Sequence, residues 1–322
     1  MIPNIELPNF VKSPEFIAKD KDFTFIGAVC MIWWCFAGFE ACVAMGEEIR
    51  FPKINIPRAM FLAPFVVFCV NALFQWYLIG ITPVEKLASL ATAEAPYAEA
   101  MKAAGILGFP LALLAAGIAF GGDFSTLNAS ISTTPRYLFT MARDGAMPKI
   151  FAKVSRRYQT PYVAVITLGV LTVALIATNS LLYIAELSLF ADLFYYVLGI
   201  LAALGLRKNH PELKRSYKAP LIMIGAPISA LIYLYMMTEL SNEAFYTGVI
   251  WCLLGIAIYW CCSKYYGSGT SFKLDEKESG VDETPSPEEK RAMDREYHVW
   301  WFIVGALSII ATLLYLVPYL AR

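Results

Sequence analysis

The sequence predicts an all-α integral membrane protein with about eight transmembrane helices. Of its 322 residues, 58% are hydrophobic and 16% are charged, and the formal net charge is zero. This composition is typical of a membrane protein and gives no reason to expect a nucleic-acid partner. A helix that crosses a bilayer needs about 20 mostly apolar residues. Eight stretches meet this requirement, at about 23–44, 59–81, 107–135, 161–178, 181–206, 221–240, 245–265 and 299–320.

The connections between the spans predict their orientation, because Lys and Arg collect in cytoplasmic loops. Basic residues are concentrated in the connections 45–58, 136–160 and 207–220. The alternating connections hold few of them or none, so we expect the basic set in the cytoplasm and residues 1–22 outside. That first segment lacks the basic start and apolar core of a signal peptide, and we expect further sequence to precede it.

The first span contains a glycine and a carboxylate, Gly38 and Glu40, in its middle. Every backbone N–H and C=O group in hydrocarbon needs a partner, so an interrupted helix is tolerated only where it lines a cavity. Transporters bind substrates and coupling ions at such interruptions. Two readings stay open: Gly38 breaks the helix beside a functional carboxylate, or Gly38 is a close-packing position and Glu40 lies near the inner interface.

Three stretches carry recognisable patterns: FAGFEACVAMGEEIRFPKINIPRAM at 36–60, STLNASISTTPRYLFTMARDGAMPKIFAKVSRRYQTPYVAV at 125–165, and LGLRKNHPELKRSYKAP at 204–220. They resemble the amino acid, polyamine and organocation (APC) transporter superfamily. The first is similar to the family's sixth helix and the loop after it, the second to the eighth helix and its cytoplasmic continuation, and the third to the basic loop after the tenth helix. The resemblance covers about residues 23–265.

The resemblance implies a fold of two inverted five-helix repeats followed by two more helices, of which this chain contains the part from the sixth helix onward. We therefore expect the first repeat to be missing, together with the substrate contacts that its own broken helix supplies in the family. The predicted segments are an extracellular segment 1–22, a second inverted repeat 23–206, two additional helices 207–265, a disordered cytoplasmic linker 266–298 and an extra transmembrane helix 299–322.

The residues that match the family's site lie in three of the spans. The predicted substrate-binding residues are Trp34, Phe36, Ala37, Gly38, Phe39, Asn128 and Ser130. The resemblance implies that Trp34 and Phe36 cover the substrate and that the helix with Asn128 and Ser130 borders its path. An interruption around Gly38 would add free backbone donors and acceptors. Carboxylates and hydroxyls inside a span are functional candidates by default. The predicted coupling-ion residues are Glu40, Asp123, Ser125, Thr126 and Asp192.

Three classes of function were compared on these residues. The favoured class is a secondary transporter for an amino acid or a related small amine, working by alternating access and coupled to an ion, with the proton preferred over Na⁺. The second is a truncated or half-transporter module that needs a partner chain or upstream sequence to supply the first repeat. A membrane aspartyl protease is disfavoured, because FGGD has Phe120 where its G-x-G-D motif needs a glycine.

The expected partners are a small-molecule substrate and membrane lipid. Two histidines and seven cysteines show no metal-ligand spacing, so neither a metal nor another cofactor is predicted apart from the coupling ion. A multi-pass chain of this kind is expected in the plasma membrane or the bacterial inner membrane.

Overall fold

The computed structural model describes residues 10, 25–46, 48–86, 90, 95–178, 180–213, 215, 217–266 and 284–320. The described part of the chain is helical and contains no strand. Its α-helices are α1 (Phe25–Trp34), α2 (Ala41–Ala44), α3 (Pro52–Ile81), α4 (Pro96–Ala103), α5 (Phe109–Ala116), α6 (Phe124–Arg143), α7 (Tyr162–Ile176), α8 (Leu181–Asn209), α9 (Ile222–Met237), α10 (Asn242–Tyr266) and α11 (Pro287–Leu320). A π-helical stretch, Gly117–Asp123, joins α5 to α6.

The helices confirm the predicted all-α membrane class. Within the described residues, five are long and apolar enough to cross a membrane: Pro52–Ile81, Phe109–Arg143, Leu182–Asn209, Asn242–Tyr266 and Pro287–Val317. Two shorter apolar helices, α7 and α9, coincide with two further predicted spans. The remaining predicted span, 23–44, is divided between α1 and α2, because its helix is interrupted in the middle.

The chain divides into two compact units. Unit 1 comprises residues 1–24, 58–129 and 284–322, and unit 2 comprises residues 25–57 and 130–283. The boundaries fall inside α3 and α6, so the units do not follow the five predicted segments. The segment boundaries therefore stay a prediction.

In unit 2 the long helix α8 packs against α9, α10 and α1. Their contact surface forms a buried apolar cluster of Cys30, Leu189, Phe190, Leu193, Met236, Met237 and Leu240. Near the predicted outer end, the Tyr183 hydroxyl donates to Thr247 at 3.0 Å and the Ser241 hydroxyl donates to the Glu186 carboxylate. This packing fixes α1 against α8, which carries the residues that face the helix interruption.

In unit 1 the last helix α11 runs parallel to α3 and contacts it along its length. Arg58 near the start of α3 pairs with Asp294, and further along the Tyr315 hydroxyl donates to the Ala72 carbonyl at 2.9 Å. The Trp76 indole donates to the Leu314 carbonyl at 3.2 Å. That carbonyl has no helical donor four residues on, because position 318 is a proline and lacks an amide hydrogen.

Helix α11 begins at Pro287, earlier than the predicted start at residue 299. A capping box accounts for this start: the Ser286 amide donates to the Glu289 carboxylate at 3.0 Å, and the Glu289 amide donates to the Ser286 hydroxyl at 3.2 Å. The second part of the predicted linker 266–298 is therefore helical. Residues 267–283 of that linker, and residues 1–9 and 11–22 of the predicted extracellular segment, lie outside the described residues.

Candidate functional site

The middle of the first predicted span is a break between two helical pieces. Helix α1 ends at Trp34 and α2 begins at Ala41, and between them the chain forms a series of turns. Gly38 has a φ of +99°, a backbone conformation that L-residues rarely adopt. The structure therefore supports the reading in which Gly38 interrupts the helix, rather than the one in which it only allows close packing.

Glu40 compensates for the break. The Gly38 amide, which has lost its helical acceptor, donates to the Glu40 carboxylate Oε2 at 3.0 Å. The carbonyl groups of Gly38 and Glu40 also have hydrogen-bond donors. Ala41 N–H donates to Gly38 O, and Val43 N–H donates to Glu40 O. Glu40 thus sits at the interruption with one oxygen committed to the backbone.

A second carboxylate lies within electrostatic range of Glu40. Asp192 on α8 is half-buried, and Glu40 is among the charges that act on it. Asp192 is about 16 Å further into the span than Leu181, at 1.5 Å per residue, which is near the middle of a bilayer about 30 Å thick. Unit 2 therefore brings together two of the five predicted coupling-ion residues.

An aromatic cluster lies beside this pair of carboxylates, with Tyr196 as its member nearest to them. Trp33 packs edge-on against Tyr196 of α8 and Tyr233 of α9, with ring centroids 5.3 and 5.6 Å apart. The Tyr196 hydroxyl is buried near the Glu40 carboxylate without a hydrogen bond of normal geometry to it or to any other described residue. The site therefore holds a buried hydroxyl beside two acidic groups, an arrangement suited to holding or passing a proton.

The residues predicted to cover the substrate lie on and after the last turn of α1. Trp34 is exposed, and its indole N–H donates to the Ser188 hydroxyl of α8 at 3.4 Å. Phe36, Ala37 and Phe39 are partly buried within the interruption. Their assignment to substrate binding stays a prediction.

The predicted site residues on the Phe109–Arg143 helix are divided between the two units. Asp123, Ser125, Thr126 and Asn128 belong to unit 1, whereas Ser130 belongs to unit 2, and all five are exposed. The Ser125 hydroxyl is bonded to its own helix, where it donates to the Gly121 carbonyl at 2.6 Å. This bond lies at the end of the π-helical stretch, a feature that is frequent at functional sites. The predicted roles of these residues stay predictions.

Sequence reasoning missed Trp33, Ser188, Tyr196 and Tyr233 in this site. One signal was available: Tyr196 follows Asp192 by four residues, the spacing that places two side chains on the same face of a helix. Ser188 and Tyr233 carried no such signal. Each meets α1 only through the packing of α8 and α9, which neighbouring residues do not reveal.

Alanine at Gly38 is expected to lower the stability of the chain. An ideal Cβ there meets no atom within 4 Å, so the cost comes from the backbone conformation alone, about 1–3 kcal/mol. Thermal unfolding in detergent, followed by circular dichroism, measures the change in Tm. Gly169→Ala in α7 is the matched control, since that glycine also has open space but lies within a regular helix, where alanine is neutral or stabilising. Equal Tm values for the two variants would contradict strain at Gly38.

The helical architecture and the apolar spans define a multi-pass membrane protein, and an interrupted helix with intramembrane carboxylates is an arrangement typical of transporters. The chain belongs to the amino acid permease family, whose model matches residues 4–260. This membership confirms the predicted resemblance to the APC superfamily and the prediction of a transporter rather than an enzyme.

Individual relatives fall within the same class. The chain is 28% identical to the methylthioribose transporter of Bacillus subtilis over 72% of this chain and 49% of the relative. It is 26% identical to the branched-chain amino acid permease BcaP of B. subtilis over 74% and 50% of the two chains. It is also 26% identical to the human large neutral amino acids transporter small subunit 2, over 70% of this chain and 40% of the relative. The chain therefore spans about half the length of the curated relatives that it matches.

Proposed function

We propose that the chain takes part in secondary active transport of an amino acid or a related small amine by alternating access, coupled to protons. The observation that carries the proposal is the interruption at Gly38, which places Glu40 within electrostatic range of Asp192 in the membrane interior. The proposed location is the plasma membrane or the bacterial inner membrane, with residues 1–22 outside.

The substrate class is supported by the relatives. The names of the branched-chain permease and the large neutral amino acids transporter both specify amino acids. The methylthioribose transporter, at 28% identity, is named for a different small molecule. Neutral amino acids with apolar side chains are therefore the first substrates to test, and methylthioribose is the alternative.

Proton coupling is supported by the way in which Glu40 is used. Its carboxylate accepts the Gly38 amide, the backbone donor that the break sets free. A proton on Glu40 weakens this charge-assisted hydrogen bond and removes the repulsion between two neighbouring carboxylates. Protonation would thus loosen the interruption, and loss of the proton would restore it, so the ion and the conformation of the break are coupled.

A second candidate function is a half-transporter that needs a partner chain or upstream sequence to supply the first repeat. The observation that favours it is the coverage, since the chain matches only about half of each relative described above. In this case the same site would form part of the transport path without completing it.

Uptake into proteoliposomes tests both candidates. Radiolabelled leucine and methylthioribose are supplied to vesicles that contain the chain, alone or together with any in-frame upstream sequence, with and without an inward proton gradient. Saturable, gradient-stimulated uptake by the chain alone supports the first candidate. Uptake only with the added sequence supports the second, and no uptake of either substrate by either preparation would overturn both proposals for these substrates.

A further inference from the structure

Unit 2 contains a cavity of about 820 Å³ on its predicted cytoplasmic side. Three parts of the chain line it: the second half of α6, the stretch that leads into α7, and four residues after the helix break, Val43, Ala44, Gly46 and Glu48. The break and the cavity are consecutive, since α2 connects one directly to the other. A movement of α2, the half-helix after the break, would therefore change the width of this cavity.

One ion pair joins two walls of the cavity. Glu48 Oε1 lies 2.7 Å from Arg136 Nη1, which connects the segment after α2 to α6. Arg136 is held in place from the other side as well, because its Nε donates to the Ser132 carbonyl at 2.8 Å. The guanidinium is thus oriented by its own helix and presents its free edge to Glu48.

The pair is attached to α6 at a weak point of that helix. Pro135, the residue before Arg136, lies inside α6 and is buried. Proline donates no amide hydrogen, so the helix lacks one hydrogen bond at this turn and bends there more easily. Both partners of the ion pair therefore lie close to points at which a regular helix is interrupted or weakened, namely the break at Gly38 and the turn at Pro135.

We propose that the Glu48–Arg136 ion pair is a cytoplasmic latch. It holds the half-helix after the break against α6, and it opens when that half-helix moves during transport. The statement that the pair opens during transport rests on the proposed alternating-access function. The ion pair itself is a contact within unit 2.

The strength of the pair suits this role. Glu48 is exposed and Arg136 is only partly buried, and ion pairs of this kind shift a conformational equilibrium by roughly two- to five-fold. A contact this weak keeps one arrangement in the majority without blocking the other. A buried, fully desolvated pair would be far harder to break and remake in each transport cycle.

Distance measurements on the whole 322-residue chain test the latch directly. In a background without the seven native cysteines, spin labels at Ala44→Cys and Thr140→Cys report the distance between two walls of the cavity. The expected result is one main population in the parent chain. Glu48→Gln is expected to increase the longer-distance population by roughly two- to five-fold, and high salt, which screens exposed charges, is expected to have a similar effect.

Two further variants separate the latch from a general loss of charge. Exchanging the partners, with Glu48→Arg and Arg136→Glu in one chain, is expected to restore much of the parent distribution. Arg143→Gln is the matched control, since it removes another arginine from the same helix and the same cavity without touching the pair. Its distance distribution is expected to match that of the parent.

An unchanged distribution in Glu48→Gln overturns the proposal, and so does an equal change in Arg143→Gln. If Glu48→Gln fails to give a folded sample by size exclusion and circular dichroism, Arg136→Lys is measured instead. This fallback applies only where lysine at 136 is shown to lose the pair, so Arg136→Gln is measured beside it: glutamine removes the charge that pairs with Glu48, and an unchanged distribution in Arg136→Gln overturns the proposal. The uptake assay is independent of these labels, so the transport proposal can fail while the latch is confirmed, and the reverse also holds.

Discussion

Replacing Glu40 with glutamine is expected to abolish the response of uptake to a proton gradient and to lower the uptake rate by at least about tenfold. The glutamine side chain cannot bind or release a proton, and its neutral amide forms a weaker hydrogen bond to the Gly38 amide than the carboxylate does. A hydrogen bond to a charged group contributes about 1.5–3 kcal/mol, and about 1.4 kcal/mol corresponds to a factor of ten. The measurement is initial uptake into proteoliposomes across a range of imposed gradients, with the preparation that transports.

Glu186→Gln provides the matched control for this prediction. Glu186 is also a carboxylate of unit 2 with a hydrogen-bond partner, Ser241, but it lies six residues nearer the predicted outer end of α8 than Asp192 and has no hydrogen bond with Glu40 among the described residues. We expect its gradient response to be retained. If Glu40→Gln also retains the full gradient response, the coupling proton binds elsewhere, and Asp123 in the π-helical stretch becomes the residue to neutralise.

Asp192→Asn distinguishes a shared site from two separate ones. Glu40 and Asp192 act on each other electrostatically, so their effects are not expected to add. If both carboxylates serve one proton, Glu40→Gln/Asp192→Asn transports no worse than Glu40→Gln alone. Effects that multiply in the double variant would show that the two residues act independently.

The helix break could be predicted because its chemistry is local. A glycine in the middle of an apolar span, followed two residues later by a carboxylate, contains both the conformational freedom and the acceptor that the break requires. The structure uses both: Gly38 adopts the positive φ, and Glu40 accepts the Gly38 amide. The resemblance to the APC superfamily rested on these two residues together with the rest of the stretches 36–60, 125–165 and 204–220, and the family match agrees with it.

The partners of the break could not be predicted because they depend on packing between apolar helices. In a membrane span both the lipid-facing and the protein-facing sides are apolar, so periodicity does not reveal which side faces a neighbour. Trp33 and Trp34 are adjacent in sequence and are the same type of residue, so the sequence does not distinguish them. Only the packing of α1 on α8 and α9 directs Trp33 into the cluster with Tyr196 and directs the Trp34 indole to Ser188.

The start of α11 was not predicted, for a different reason. The residues from Pro287 to Tyr297 are strongly charged, and a polar, proline-punctuated stretch favoured a linker over a helix. Two contacts outweigh that composition: the capping box at Ser286 and Glu289, and the pairing of Asp294 with Arg58 of α3. The capping box was visible in the sequence, whereas the pairing with Arg58 spans most of the chain.

A large effect on stability is expected at Gly248, where α10 packs against the Phe190 ring of α8. A Cβ atom built there overlaps the ring of Phe190, a side chain that is only 3% exposed and belongs to the buried cluster of unit 2. The ring is confined by Phe194 and Phe245, whose centroids lie 6.0 and 5.6 Å away. It therefore cannot move aside without disturbing the cluster.

Gly248→Ala is expected to destabilise the chain by about 1–3 kcal/mol, which is typical of extra atoms forced into a packed core, and Gly248→Leu by more. The measurement is Tm in detergent, with Gly255→Ala as the matched control. Gly255 lies on the same helix with no atom within 4 Å of an added Cβ, so alanine there is expected to be neutral or stabilising.

A second substitution tests whether the Phe190 ring is the cause. Phe190→Leu removes part of the ring and is expected to cost stability by itself, because it leaves a void in the cluster. In the double variant Phe190→Leu/Gly248→Ala, the new methyl group occupies part of that void. The two costs should therefore partly cancel, and the pair should be more stable than the sum of the single variants predicts. If the stability changes of the two single variants simply add in the double variant, the cost of Gly248→Ala comes from the backbone of α10 and not from contact with Phe190 of α8.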